Sequence, residues 1–535
     1  MTELSAHDAL PSAIARTAAQ DPGRPFLLQV DGRSQNYGEA DAEGDRFASA
    51  FRRLGVEQET RVLTLLPPCI DAVDTWVGLA RLGAVNVPVN TSFEGRILEY
   101  VIENSRAGIL VCAARWLDRI THLADRLTSL RVIVVLDGPP TDGLPQQILT
   151  RDEFLTGDPG DETFGNPELS DPAMIMYTSG TTGSSKGVVL PWGAFVRSSH
   201  NLVAPDCDVD SHDVMYLPFP MFHISGTQFL SIMARVGGTV VLREVFSTDD
   251  YWSDIRRFSC TISLMVGAMA GFLAKQDARP DDADNPLDVA IIIPMIDGQA
   301  EFERRFDVRT YTLYGSTELG CVLTSNLGIV PPRSCGFLRP GFELRIVDTQ
   351  DRPVPDGEPG ELIVRPTEPW TTIIEYFDMP AATAAAFRNL WFHTGDTFVR
   401  TPDGDYIFFD RLKDSIRRRG ENISSAELEA CVLVHDAVLE CAAVAVPAEI
   451  SEDEVKVCVV LRPGRELTAP ELIDHLLTER VPRFMIPRYV EFLDTLPKTP
   501  TNKIQKDRLR AAGVTATTWQ WSGRGSNTEL VSSGG

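Results

Sequence analysis

The sequence predicts an α/β protein. It reads as a large N-terminal domain of mostly parallel α/β-layered subdomains plus a small β-barrel-like unit, followed by a small mobile α+β C-terminal domain. Three observations carry that reading. Through residue 293, short apolar runs alternate with helical stripes, an order that builds parallel sheets with helices on both faces. Over 334–409 the pattern shifts to short strands punctuated by Asp356-Gly357 and Asp403-Gly404, the chemistry of tight hairpin turns. After Asp410 a basic, glycine-containing loop opens a separate strand–helix pattern. The expected division is therefore 1–409, then 410–513 with a hinge at its start, then a disordered tail over 514–535 rich in Ser, Thr and Gly.

The elements follow in order. Phe47, Ala50, Phe51 and Leu54 repeat at helical spacing, and Gly55 supplies the left-handed residue that closes such a helix. Val62–Leu66 is a short buried strand. Ile70, Val73 and Val77 stripe the next helix, which Gly83 ends. Val85–Val89, Ile109–Cys112 and Val132–Leu136 are strand-length apolar runs, as are Ala173–Thr178, Val214–Pro218, Thr239–Arg243, Ile262–Met265 and Val289–Ile293. In the last part, Val438–Val446, Val455–Leu461 and Tyr489–Leu493 read as strands and 469–480 as a helix.

Composition excludes several functions. The chain has 535 residues, with 50 Lys plus Arg against 75 Asp plus Glu and a net charge of −25. A nucleic-acid partner would need a basic face, so none is expected. The acid is concentrated: residues 1–409 hold 33 basic against 56 acidic side chains, and 410–513 hold 16 against 18. No apolar run approaches the ~20 residues that span a bilayer, so no membrane span is expected. The N-terminus lacks a charged-then-apolar leader. The nine cysteines are scattered and include no CxxC, which reads as reduced thiols in a cytoplasmic protein. Only seven of the 50 cations are Lys, so each Lys raises the question of why Arg would not serve.

The most informative segment is Tyr177-Thr178-Ser179-Gly180-Thr181-Thr182-Gly183-Ser184-Ser185-Lys186-Gly187, directly after an apolar strand. Glycines let backbone approach a ligand, hydroxyls and amides donate to phosphate oxygens, and Lys adds a compact charge. That chemistry fits a triphosphate. A Walker A loop needs Gly before the Lys and Ser or Thr after it, the reverse of Ser185-Lys186-Gly187. GxGxxG, HExxH and metal-spaced Cys/His clusters are absent from the sequence.

This string resembles the phosphate loop of the adenylate-forming enzymes: acyl-CoA synthetases, luciferases and the adenylation domains of peptide synthetases. Further motifs follow in that family's order over about 1–513. The resemblance implies that Thr178, Ser179, Gly180, Thr181, Thr182, Gly183 and Lys186 hold the phosphates of ATP. Phe219–Gly226 resembles the segment that begins the acyl pocket, with His223 guarding the route between carboxylate and nucleophile. Ser225, Gly226, Gly267 and Asp297 would line that pocket. Taken alone, His223 reads better as a buried histidine capping a strand; its position in the motif brings the functional reading level with that or above it. Leu313–Glu318 resembles the nucleotide motif: Tyr314 and Gly315 against adenine, Thr317 on phosphate, Glu318 on Mg²⁺. His393–Asp396 resembles the ribose motif, with Asp396 accepting from the ribose hydroxyls. Arg411 would reach ribose or phosphate, and Lys413 stands where the family places its rotation hinge. Arg417–Arg419 reads either as a solvated loop or as a contact for CoA phosphates. Pro497–Ile504 resembles the closing motif, in which Lys503 would bridge carboxylate and phosphate. Three of the seven lysines, Lys186, Lys413 and Lys503, thus fall on motif positions.

The implied reaction is AMP-forming. A small carboxylic acid is activated by ATP and Mg²⁺ as an acyl-adenylate, then passed to a thiol of CoA or of a carrier protein. Thr178, His223, Glu318 and Lys503 are the expected catalytic set. The chain is most similar in kind to standalone acyl-CoA ligases. Peptide-synthetase domains carry Asp after the pocket aromatic, whereas Ile224 follows His223 here, which argues against an α-amino acid. One segment departs from the family: Pro294–Gln299 replaces a Gly-Gly-Ala-Pro-like loop, and Asp297 and Gln299 read as marks of a polar substrate. Two alternatives stay open. The acceptor could be an amine or another non-thiol nucleophile, with a non-standard acid, or the chain could be a non-catalytic nucleotide-binding relative.

Overall fold

The computed structural model describes residues 4–521 apart from 140–142, 158–161, 179–184, 412–415, 419–420, 424, 448–452, 480, 482, 484 and 500–502. Two large sheets organise the first 311 residues. In one, Gln147–Thr150, Val132–Val135, Ile109–Cys112, Arg61–Leu65, Val85–Pro88 and Pro172–Thr178 run parallel. Lys186–Pro191 and Glu375–Tyr376 then add two antiparallel strands at the Thr178 edge. In the other, Arg309–Tyr311, Val289–Ile293, Ile262–Val266, Val214–Leu217, Thr239–Leu242 and Pro25–Gln29 are parallel, and Ser34–Asn36 closes the edge antiparallel.

Helices that pack against both sheets explain why their sequences are so apolar. Ile70–Arg81 touches strands of each sheet, and Ile70 through Ala80 are all buried. A helix with one wet face would alternate apolar and polar stripes; this one is sandwiched. Trp76 stacks on Trp192 of the helix Trp192–Asn201 at 5.3 Å and 12°, and both are fully buried. Local signals set the ends. Asn36 and Glu39 form a reciprocal cap on Tyr37–Arg53, and Gly55 follows at φ 80°. Gly83 plays the same closing part at φ 65°.

The β unit is a four-stranded antiparallel sheet of Phe342–Val347, Gly360–Pro366, Phe392–Arg400 and Tyr406–Arg411. A three-stranded antiparallel sheet, Leu313–Ser316, Gly320–Thr324 and Phe337–Leu338, abuts it. The last part of the chain builds its own core from Leu428, Val457, Leu472, Leu476 and Ile486. That core lies between the sheet Val438–Pro447, Asp453–Leu461, Tyr489–Phe492 and the helices Ser425–Leu433 and Ala469–Thr478.

The expected tail begins too early. Trp519–Gln520 pairs with Tyr489–Val490, so residues 514–521 belong to the fold. A buried ion pair explains the capture. Lys456 Nζ lies 2.5 Å from Glu491 and also donates to the Gly513 carbonyl, while Thr515 and Thr517 donate to Glu491. Burial opposes ionisation of Glu491, but these hydrogen bonds outweigh it and hold its carboxyl below the usual range. Residues 522–535 of that tail lie outside the described residues. Among the described residues no helix is long and apolar enough to cross a membrane.

Candidate active site

The glycine-rich loop joins two antiparallel strands. Thr178 ends Pro172–Thr178 and sits opposite Lys186, which begins Lys186–Pro191. The Thr178 hydroxyl donates to the Lys186 carbonyl at 3.4 Å. Helix Gly95–Ser105 pins the base of the loop: Tyr177 donates to Asn104 at 2.7 Å, and Tyr100 donates to the Ser185 carbonyl at 3.1 Å. Ser179, Gly180, Thr181, Thr182 and Gly183 lie outside the described residues.

Lys186 and Glu318 meet through a residue the motifs did not single out. Tyr376, on the added edge strand, donates its hydroxyl to Glu318 Oε1 at 2.9 Å. The Lys186 ammonium lies over the Tyr376 ring, 4.7 Å from its centre. The Ile373 amide also binds the Glu318 carbonyl at 2.7 Å, tying the segment before Tyr376 to the nucleotide motif. The only sequence signal for Tyr376 was an aromatic in a two-residue strand far from the loop, which periodicity cannot distinguish from core.

Tyr314 and Asp396, 82 residues apart, are joined by a 2.6 Å hydrogen bond in which the phenol donates. The Tyr314 ring packs edge-on against Phe398 at 4.8 Å. Burial first, and then the Asp396 charge, push the Tyr314 phenol far above its ordinary range, so it stays a donor. Asp396 stands across the strand pair from Arg411. Gly315 cannot be larger: a Cβ there would fall 2.1 Å from the Gly320 carbonyl oxygen. Thr317 and Glu318 are half-buried. Ser316 Oγ is buried without a hydrogen-bond partner among the described residues.

His223 caps a helix rather than a strand. Its Nδ1 accepts the Ser225 amide at 3.2 Å at the start of Ile224–Val236. That bond fixes a neutral ring with its proton on Nε2. Burial, aided by the Lys503 charge, pushes the His223 pKa down to about 4. Lys503 therefore lies close enough for its charge to be felt at His223. Lys503 itself is exposed, in a turn closed by the Thr499 amide on its carbonyl at 2.7 Å. Gly226 is required by the Pro220 carbonyl oxygen, which a Cβ would meet at 2.3 Å.

Gly267 and Asp297 follow adjacent parallel strands, whose ends Val266 and Ile293 are in register. Crevices at such carboxyl ends are where α/β sheets take ligands. A Cβ at Gly267 would lie 2.7 Å from the Pro294 carbonyl oxygen, so the two loops touch. Asp297 is exposed and makes no ion pair among the described residues. The expectation for Gln299 is corrected. It is buried at 4% exposure. Its amide donates to Thr310 and to the Gly328 carbonyl and accepts from the Val330 amide. All of its polarity is spent inside the protein, so it cannot mark a polar substrate. Lys413 lies outside the described residues, as does the Arg411 side chain.

The donor set suits a hard cation that brings its own phosphates. Glu318 Oε2 accepts no hydrogen bond among the described residues, and Thr317 offers a hydroxyl oxygen beside it in the motif. Among the described residues no cluster of three or more His, Cys, Asp or Glu could hold a metal. One carboxylate plus substrate phosphates is how Mg²⁺ is commonly held, so the residues fit it.

A parallel α/β scaffold on which Tyr376 joins Lys186 to Glu318, and Tyr314 of the same motif holds Asp396, has the side chains of a nucleotide-binding enzyme. Residues 14–370 match the AMP-binding enzyme pattern, and residues 427–503 match the AMP-binding enzyme C-terminal domain. The chain belongs to the AMP-binding enzyme family. It is 30% identical over 484 residues to a crotonobetaine/carnitine–CoA ligase of Salmonella arizonae, covering 89% of this chain and 93% of that one. Its fold matches that of an anthranilate CoA ligase in complex with anthranoyl-AMP at a TM-score of 0.84 and 24% identity, over 95% of this chain and 99% of that chain. A benzoate CoA ligase from Burkholderia xenovorans LB400 matches at a TM-score of 0.80 and 24% identity, over 94% and 99% of the two chains.

Proposed function

We propose that this protein joins a small carboxylic acid to coenzyme A, using ATP and passing through an acyl-adenylate. It is an AMP-forming acid–thiol ligase. The acid's carboxylate attacks the α-phosphorus of ATP and pyrophosphate leaves; the CoA thiol then attacks the acyl carbon and AMP leaves. No protein nucleophile is needed, so the residues act by positioning and by neutralising charge. The observation that supports this most is the joining of Lys186 and Glu318 through Tyr376, with Tyr314 of the same motif as Glu318 holding Asp396 and the Lys503 charge felt at His223.

In this reading Thr178, the loop hydroxyls and Lys186 hold the phosphates, Asp396 holds the ribose, and Tyr314 orients Asp396. Glu318 would hold Mg²⁺, which supplies a positive field over the phosphate oxygens. Lys503 places a compact cation between the acid and the α-phosphate. His223 stays neutral beside it and presents Nε2–H to the cleft. Residues 410–513 form the domain that carries Lys503 in and turns about Lys413 to admit the thiol. The cytoplasm is the proposed location, where CoA and reduced thiols coexist.

Asp297 favours an acid whose far end is positive. An exposed carboxylate beside the pocket loop, with no ion pair among the described residues, is a ready partner for an ammonium group through charge attraction, with no N–H required. The named ligand of the Salmonella relative carries such a group. Pyrophosphate release should be followed across carnitine, crotonobetaine, benzoate, anthranilate and aliphatic acids, with and without CoA. The cationic acids should give the highest kcat/KM. Asp297→Asn should lower that value roughly tenfold while leaving uncharged acids unchanged. Equal losses for both classes would remove Asp297 from substrate choice. An amine turning over faster than CoA would replace CoA as acceptor.

A further inference from the structure

Tyr376 stands between the two charges on which the proposed chemistry depends. A lysine and a glutamate in one cleft ordinarily pair, and pairing here would cost both of them their partners on the nucleotide. They do not pair. Lys186 makes no ion pair among the described residues; its ammonium rests on the face of the Tyr376 ring at 4.7 Å. Glu318 receives the hydroxyl of the same ring on Oε1 at 2.9 Å, and its Oε2 accepts nothing among the described residues. One side chain thus engages a cation through its π face and an anion through its edge.

Tyr376 is itself rigid. It is 5% exposed. Its backbone pairs with Val188, and its amide donates to Thr383 Oγ1 at 2.9 Å.

We propose that Tyr376 is a positioning residue that keeps Lys186 and Glu318 apart, directing the first to the triphosphate and the second to the divalent cation that accompanies it. This rests on the roles given to Lys186 and Glu318 above. Without the hydroxyl, Glu318 loses the partner that orients it, a loss that weakens a metal ligand substantially. Without the ring as well, Lys186 loses its seat.

The test is equilibrium binding of ATP in the absence of any acid, by calorimetry, with and without Mg²⁺, alongside thermal melts. In the wild type Mg²⁺ tightens ATP binding. In Tyr376→Phe that tightening should fall about tenfold, with Mg²⁺-free ATP affinity and melting temperature unchanged. Tyr376→Leu should in addition weaken Mg²⁺-free binding about threefold, because the cation–π seat of Lys186 is gone. Glu318→Gln is the control on the underlying reading and should lose the Mg²⁺ effect. If Glu318→Gln loses it and Tyr376→Phe keeps it, the positioning role of Tyr376 is wrong while Glu318 stands. If Glu318→Gln keeps it, the assignment of Glu318 fails and the role of Tyr376 fails with it.

Discussion

In the proposed mechanism His223 serves both fold and reaction. Its Nδ1 accepts a helix amide, so its free proton must sit on Nε2, facing away from that cap. Burial and Lys503 depress its pKa to about 4 from the 6.5 usual for histidine. The unfolded chain takes up a proton below 6.5 that the folded chain refuses until about 4, so this residue makes stability fall as pH drops through that window. At neutral pH the ring is uncharged and does not compete with Lys503 for the acid. Lys503→Ala removes the second cause of the shift and leaves the first. The His223 pKa, followed by NMR on labelled histidine, should rise from about 4 yet stay below 6.5. No movement would mean that Lys503 does not reach the pocket entrance in solution. Most of the candidate site residues stand out in the sequence because each sits in a short motif. Tyr376 does not, because its role exists only once two sheet edges meet. Gln299 was misread for the opposite reason: its polarity looked free until Thr310, Gly328 and Val330 were folded around it.

Elements place these residues through close approaches that only glycine permits. The helix Ile224–Val236 can start beside Pro220 because Gly226 has no Cβ. Gly226→Ala would set a carbon 2.3 Å from a backbone oxygen, so the helix start and His223 must shift. A cost of ~1–3 kcal/mol in stability is expected, read by denaturant unfolding, with a larger proportional loss in acid activation than in ATP binding. An unchanged rate of activation would show that the His223 cap does not set the pocket. Strands and helices were legible from period and punctuation: Gly55 and Gly83 close helices as their positions predict. What periodicity could not supply was pairing. That Glu375–Tyr376 joins the sheet of Lys186–Pro191, nearly 190 residues earlier in the chain, depends on tertiary packing of Phe377 and Tyr376 against the loop strands. The strand Trp519–Gln520 was missed for a similar reason: a Ser, Thr and Gly-rich composition reads as disorder, while the buried Lys456–Glu491 pair that anchors it is invisible in sequence.

At the scale of the whole molecule, the acid and the function occupy different places. Residues 1–409 carry 56 acidic against 33 basic side chains, yet the proposed phosphate site rests on Lys186 and the Thr178 hydroxyl. Residues 410–513 are nearly balanced, with 16 basic and 18 acidic, and they bring Lys503 to the acidic scaffold. Separate cores support this division of labour, one built from residues up to Tyr406 and another beginning at Ile416. The central claim is that the cation needed for adenylation resides on the small domain, at Lys503, and is not needed for thioester formation. Lys503→Ala separates the two half-reactions. Acid-dependent pyrophosphate release should fall by at least ~100-fold, while CoA thioester formation from supplied acyl-adenylate stays near the wild-type rate. Equal loss of both half-reactions, or a pyrophosphate rate that survives the substitution, would contradict the account.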